Sequence, residues 1–125
     1  MVDSWGLLVV GHGSRRPEAN ATLREVADRV GDHSRWRAVQ AAFLELTDPD
    51  ILDGYGKLVT AGCRDIVVHP FFLFPGTHTT ADIPRQLAAA AQLHPGARWR
   101  LTEPLGLHPG VLRAAADRIT EVLPG

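Results

Sequence analysis

Apolar positions along this chain switch between two spacings. Trp5–Gly11 is a short apolar run bounded by glycine, the pattern of a strand buried on both faces. From Pro17 the spacing lengthens: Leu23, Val26, Ala27 and Val30 share one helical face, and Gly31 ends it. The alternation then repeats. Trp36–Glu45 reads as a second strand. Asp48-Pro49 reads as the cap and first-turn proline of a helix whose stripe is Ile51, Leu52, Tyr55, Leu58 and Val59, with Gly62 after it. Arg64–Pro70, with Ile66-Val67-Val68 inside it, is a third strand. A helix around Ile83–Leu93 follows, with Asp82-Ile83-Pro84 as its start signal. Arg98–Thr102 is a fourth, weaker strand, and Val111, Ala115, Ile119 and Val122 mark a last helix.

Strand–helix units joined by short connections predict an α/β fold: a four-stranded parallel sheet with helices on both faces, a flavodoxin-like three-layer sandwich. The expected strand order is 2-1-3-4. At 125 residues, with no linker or low-complexity tract, the chain is expected to be a single domain, 1–125.

Charge and composition narrow the function. Thirteen basic and fourteen acidic side chains leave a net charge of −1, so no bulk electrostatic attraction to nucleic acid or anionic membrane is expected. The apolar run Leu7–Val10 is too short for a membrane span or a signal peptide, which predicts a cytoplasmic protein. One cysteine, Cys63, excludes an internal disulfide and any multi-cysteine metal site. Six histidines remain as candidate chemistry.

In open α/β sheets, ligands bind beyond the carboxyl ends of the strands, where the strand order reverses. Three segments should lie there. Gly11-His12-Gly13-Ser14-Arg15-Arg16 follows the first strand, Glu45 closes the second, and Phe71-Phe72-Leu73-Phe74-Pro75-Gly76-Thr77-His78 follows the third. With strands about 4.8 Å apart, His12, Glu45 and His78 are expected to converge. Flanking glycines let the chain turn and leave the His12 imidazole bare. Two imidazoles and a carboxylate suit a first-row divalent ion, with coordination positions left open. Phe72 and Phe74 offer apolar surface for a flat ligand, although at least one of Phe71 and Phe72 should finish the core of the third strand. Arg15, Arg16 and Arg85 are placed to meet anionic groups on it.

These residues resemble a known family. Leu7-Leu8-Val9-Val10-Gly11-His12-Gly13-Ser14-Arg15, then Pro70-Phe71-Phe72-Leu73 running into Gly76-Thr77-His78 and Asp82-Ile83-Pro84, is similar to the sirohydrochlorin chelatases of the CbiX/SirB type. Glu103-Pro104-Leu105-Gly106 resembles a later segment of that family, so the likeness runs along nearly the whole chain. The resemblance implies the chelatase form of the fold. It also implies ATP-independent insertion of cobalt, iron or nickel into sirohydrochlorin, on the way to cobalamin- or sirohaem-type products. His12 and His78 match the family's metal-binding histidines, and Glu45 its glutamate. Ser14, Arg15, Arg16, Phe72, Phe74 and Arg85 are the expected substrate contacts. The divalent ion is a substrate and no permanently bound cofactor is implied. Long members carry two such domains, and short ones resemble one half and pair as homodimers, so a homodimer is expected.

Other readings have less support. A histidine phosphatase would place Arg, not Gly11, before the histidine. A serine hydrolase lacks its G-x-S-x-G elbow, and neither nucleotide-binding glycine motif is present. A metal or tetrapyrrole carrier without catalysis would keep the same histidines. Cys63 and His69 read as structural, His94 and His108 as turn residues, and His33 as part of a polar loop.

Overall fold

The two spacings become eight alternating elements in the computed structural model, which describes residues 4–32 and 35–125; His33 lies outside the described residues. The strands are β1 (Trp5–Gly11), β2 (Ala38–Phe43), β3 (Asp65–Pro70) and β4 (Arg98–Leu101). The helices are α1 (Pro17–Val30), α2 (Ile51–Thr60), α3 (Thr77–Leu93) and α4 (Pro109–Thr120). All neighbouring strands pair in parallel, in the order β2-β1-β3-β4, as the sequence led us to expect. β1 is thus central, with Val9 level with Ala41 on one side and His69 on the other.

Burial explains why β1 is apolar throughout. Leu8 and Val10 join Ala42, Ile66 and Val68 against Tyr55 and Leu58 of α2 and Ile83 and Leu87 of α3. Leu7 and Val9 face the other way, onto Leu23 and Ala27 of α1. Leu8, Val9 and Val10 are completely buried, and each such side chain contributes roughly 1.5–3 kcal/mol relative to exposure.

Several boundaries move from their expected places. β2 ends at Phe43 rather than Glu45, although the Leu44 and Glu45 N–H groups still donate to the Gly11 and His12 carbonyls at 3.0 and 3.1 Å, before the chain turns at Leu46 with φ of +71°. Asp50, not Asp48, caps α2: its carboxylate accepts the Asp53 N–H at 2.8 Å. α3 starts at Thr77, well before Ile83, so Pro84 lies inside the helix and His78 in its first turn. An internal proline removes one backbone hydrogen bond and costs roughly 3 kcal/mol. Burial of Ile83, Leu87 and Ala90 offsets that cost. His108 caps α4, with Nδ1 accepting the Gly110 N–H at 2.9 Å.

α4 departs most from expectation. It forms where its stripe predicts, but it buries no residue, so the second helical layer beside α1 is not filled by this helix. The α1 side of β3 therefore stays partly open: Val67, His69 and Phe71 are half-buried.

Two measurements test the packing. Leu8→Ala should lower unfolding free energy by about 2–5 kcal/mol in urea titrations, as expected for a truncation in a close-packed centre. His69 provides a pH signature. Its Nδ1 lies 2.7 Å from Thr102 Oγ1, and burial pushes the imidazole below its ordinary pKa. The unfolded chain therefore binds the proton first as pH falls. The stability due to the neutral ring is complete above about pH 6.5 and is lost as pH drops through the folded-state value. Urea midpoints measured from pH 7.5 downward should fall less steeply in His69→Gln than in the parent; parallel slopes would exclude this origin.

Candidate functional site

At the carboxyl end of β1, two glycines hold a histidine out of the fold. A Cβ on Gly11 would lie 2.4 Å from Leu23 Cδ2 of α1. Gly13 has φ of +90°, and a Cβ there would sit 1.8 Å from the Glu45 carbonyl oxygen. Gly13 has no room for a side chain, and one at Gly11 would have to displace Leu23, so α1 and the segment after β2 close on the backbone from both sides. His12 between them is exposed. Its ring rests on Phe72 with centroids 4.4 Å apart and planes tilted by 47°. Phe72 is buried against the α2–α3 core, which gives the imidazole a fixed floor. A cavity of about 210 Å³ opens here, lined by His12, Ser14, Asn20, Phe43, Phe71 and Phe72 among others.

The loop is held by a residue that sequence reasoning missed. Asn20 is buried, and its side chain grips Ser14 twice. Oδ1 accepts the Ser14 N–H at 2.9 Å, and Nδ2 donates to the Ser14 carbonyl at 2.8 Å. Ser14 Oγ in turn accepts the Arg16 N–H at 3.0 Å. Asn20 was detectable in principle: it lies on the Leu23–Ala27 face of α1, where an amide should not be buried without a task.

The expected site residues separate into groups. Glu45 lies two residues past the end of β2; its N–H donates to the His12 carbonyl at 3.1 Å and its side chain is exposed. His78 is exposed in the first turn of α3, after β3, the strand beside β1. All three segments therefore leave neighbouring strands at the same end. Among the described residues, however, no three His, Cys, Asp or Glu side chains gather into a group that could hold an ion, so the expected shared point is not preassembled. Phe74 is 73% exposed, whereas Phe72 supports His12. Arg15 is exposed, Arg16 pairs with Glu18 at 3.3 Å, and Arg85 pairs with Asp82. Arg85 lies about 12 Å along α3 from its start.

His69 and His94 lie elsewhere. His69 bonds Thr102, and His94 ends α3 with its ring 6.0 Å from that of Tyr55. Cys63 is buried, and burial raises its thiol pKa, which keeps it in the unreactive form.

Loss of the Asn20 grip should be measurable. Asn20→Ala removes two hydrogen bonds from a partly buried backbone and should cost about 1–3 kcal/mol. Hydrogen exchange at the Ser14 amide should rise more than at amides of central β1; a uniform rise would assign Asn20 a general packing role instead.

Residues 6–122 match the CbiX family. The chain is 40% identical over 121 residues to an Arabidopsis thaliana protein named sirohydrochlorin ferrochelatase, chloroplastic, covering 97% of this chain and 54% of that one. Among solved structures it resembles the sirohydrochlorin chelatase SirB from Bacillus subtilis subspecies spizizenii in complex with cobalt. The TM-score is 0.87 and the identity 30%, over 95% of this chain and 51% of that one. It also resembles a putative cobalamin biosynthesis CbiX protein from Marinobacter aquaeolei VT8, with a TM-score of 0.79 and 26% identity, over 94% and 95% of the two chains. The chain spans little more than half the length of the first curated relatives it matches. With the match extending from β1 to the end of α4, and with the Gly11-His12-Gly13 turn placed at the carboxyl edge of a 2-1-3-4 sheet, the chain belongs to the CbiX family.

Proposed function

We propose that this chain, as a single domain, inserts a divalent metal ion into sirohydrochlorin without ATP, the ion being cobalt or else iron or nickel. The observation that carries the reading is the exposed His12 imidazole, set on buried Phe72 between two glycines on which neighbouring segments close. The family match and the relatives named as cobalto- and ferrochelatases support the same reaction.

The reaction must exchange an ion for two pyrrole N–H protons and strip water from the metal. His12 ligates the incoming ion through a neutral ring nitrogen, and His78 and Glu45 add ligands from the neighbouring strand ends. The same groups accept the departing pyrrole protons, which neutral imidazole does readily near pH 7. A ligand set that is not preassembled suits this role, because a closed, rigid site would retain the ion instead of passing it on. Phe74 supplies apolar surface for the macrocycle face, beside Phe72 under His12. Ser14, Arg15, Arg16 and Arg85 serve its carboxylate rim. Arg16 and Arg85 exchange exposed carboxylate partners for those of the substrate, a low-cost exchange since exposed ion pairs contribute roughly 0–1 kcal/mol.

A tetrapyrrole has two faces and this domain offers one wall. We infer that a second copy supplies the other, giving a homodimer around the ligand. No helix among the described residues is long and apolar enough to cross a membrane. We assign the protein to the cytoplasm, whose reducing conditions suit a free cysteine.

Purified protein mixed with sirohydrochlorin and each ion in turn, followed by absorbance, tests the assignment. The expected result is metallation faster than the protein-free control. Binding of ion or tetrapyrrole without acceleration would leave a carrier and refute the enzyme. His12→Ala should lower the rate by at least about 100-fold, the lower range for a positioned acid–base group. Its urea midpoint should stay near the parent value, because His12 is exposed. An active His12→Ala would remove His12 from the mechanism.

A further inference from the structure

α1 reaches both loops that leave β1 and β2, through two side chains one turn apart. Asn20 grips Ser14 in the loop after β1. Arg24 follows it at i+4, on the same side of the helix. It reaches the loop that carries Glu45, where its Nη2 donates to the Asp48 carbonyl at 3.2 Å.

The Glu45 loop leaves β2 at Phe43 and returns to it. Phe43 and Asp50 form a parallel bridge, and the Phe43 N–H donates to the Pro49 carbonyl at 2.9 Å. The outgoing limb is tied to β1 by the Leu44 and Glu45 N–H groups. Directly after Glu45 the chain reverses through Leu46, which has φ of +71° and is 54% exposed. A leucine rarely adopts this left-handed conformation, and keeps it only where the surroundings impose it. An exposed Leu46 side chain contributes little packing toward that. Among the described residues, Arg24 is the one side chain that hydrogen-bonds residues 46–48 from another element.

Two contacts set the orientation of Arg24. Its guanidinium lies over the Phe43 ring, 5.2 Å from the centroid, and Phe43 is buried and lines the cavity beside His12. A planar guanidinium with its face on a ring and its edge on a carbonyl is held in a way that the flexible ammonium of a lysine does not offer. Its charge meets a carbonyl, not Glu45. Neither Arg24 nor Glu45 has an ion-pair partner among the described residues. The Glu45 carboxylate thus stays open to a cation, with which a direct Arg24–Glu45 pair would compete.

We propose that Arg24 is a positioning residue for Glu45. By holding Asp48 to α1 it keeps the reversal at Leu46 closed and Glu45 at the edge beside His12. The assignment rests on the functional reading in which Glu45 ligates the incoming ion. It identifies what keeps that carboxylate in place while the ligand set is still open.

Metallation rates of the 125-residue chain test this, with cobalt(II) varied at saturating sirohydrochlorin and then the reverse. The variants are Arg24→Gln, Glu45→Gln and the two combined. Arg24→Gln should raise KM for cobalt about 10-fold, the lower range for a residue that orients a metal ligand. KM for sirohydrochlorin should change by less than about 2-fold, because general damage to the site would move both values. In the Glu45→Gln background, Arg24→Gln should have no further effect on KM for cobalt, since residues that act through one group are not additive. Arg24 is exposed, so urea midpoints should stay near the parent value. If Arg24→Gln is destabilised, Arg24→Lys, which keeps the charge without the planar fork, enters the same comparison. An unchanged KM for cobalt, equal rises in both KM values, or an Arg24 effect that persists in Glu45→Gln would overturn the positioning role and leave Glu45 as a ligand. A KM for cobalt unmoved by Glu45→Gln would overturn the ligand reading and the positioning role together. A parent without metallation activity would refute the functional reading, and this assignment with it.

Discussion

One main-chain contact organises the functional edge of this protein. The Glu45 N–H reaches the His12 carbonyl because Gly13 has no side chain to keep the two segments apart. A Cβ at Gly13 would overlap the Glu45 carbonyl, and its left-handed backbone already disfavours any other residue. The contact extends β1–β2 pairing beyond the strands, so that the first and second strand ends arrive as one unit. Asn20 then fixes Ser14 from below, and Phe72, just after β3, supports the imidazole. The histidine is thereby exposed yet positioned, which is unusual for a loop side chain. The backbone beneath it is rigid because its neighbours are small, buried or doubly bonded.

Much of this architecture was legible in the sequence. β1 shows no alternation because both of its faces are buried, and a strand covered on both sides must be central. That one deduction places β2 and β3 beside it and brings the segments after them to one edge. Element boundaries were less legible, for local reasons. Asp48 and Asp50 both stand near Pro49, and only the Asp53 N–H geometry selects Asp50. Pro84 looked like a start signal because proline is favoured in first turns. The apolar contacts of Ile83 and Leu87 carry the helix through it instead.

The site was legible in its residues but not in its distances. Sequence order indicates that His12, Glu45 and His78 leave adjacent strands; it does not say how far their side chains extend or in which direction. Arg85 illustrates the difference, being near His78 in sequence but two turns along α3 and paired with Asp82. Asn20 escaped notice because an amide on an apolar stripe looks like noise until its partners are known. The free state of α4 was hidden for a related reason. A hydrophobic stripe reveals that a helix will be covered, but not by what.

The sheet edges have a consequence for solubility. β4 is only four residues long, with Arg98 held by Asp65 at 2.8 Å and Arg100 over the Trp5 ring at 5.2 Å. On the opposite margin, the Gln40 side-chain amide donates to the Ala41 carbonyl at 2.8 Å. Short, charged or self-capped margins are poor templates for another chain's backbone. Such a sheet resists growth into ribbons or fibrils at high concentration, even though the molecule exposes many large apolar side chains.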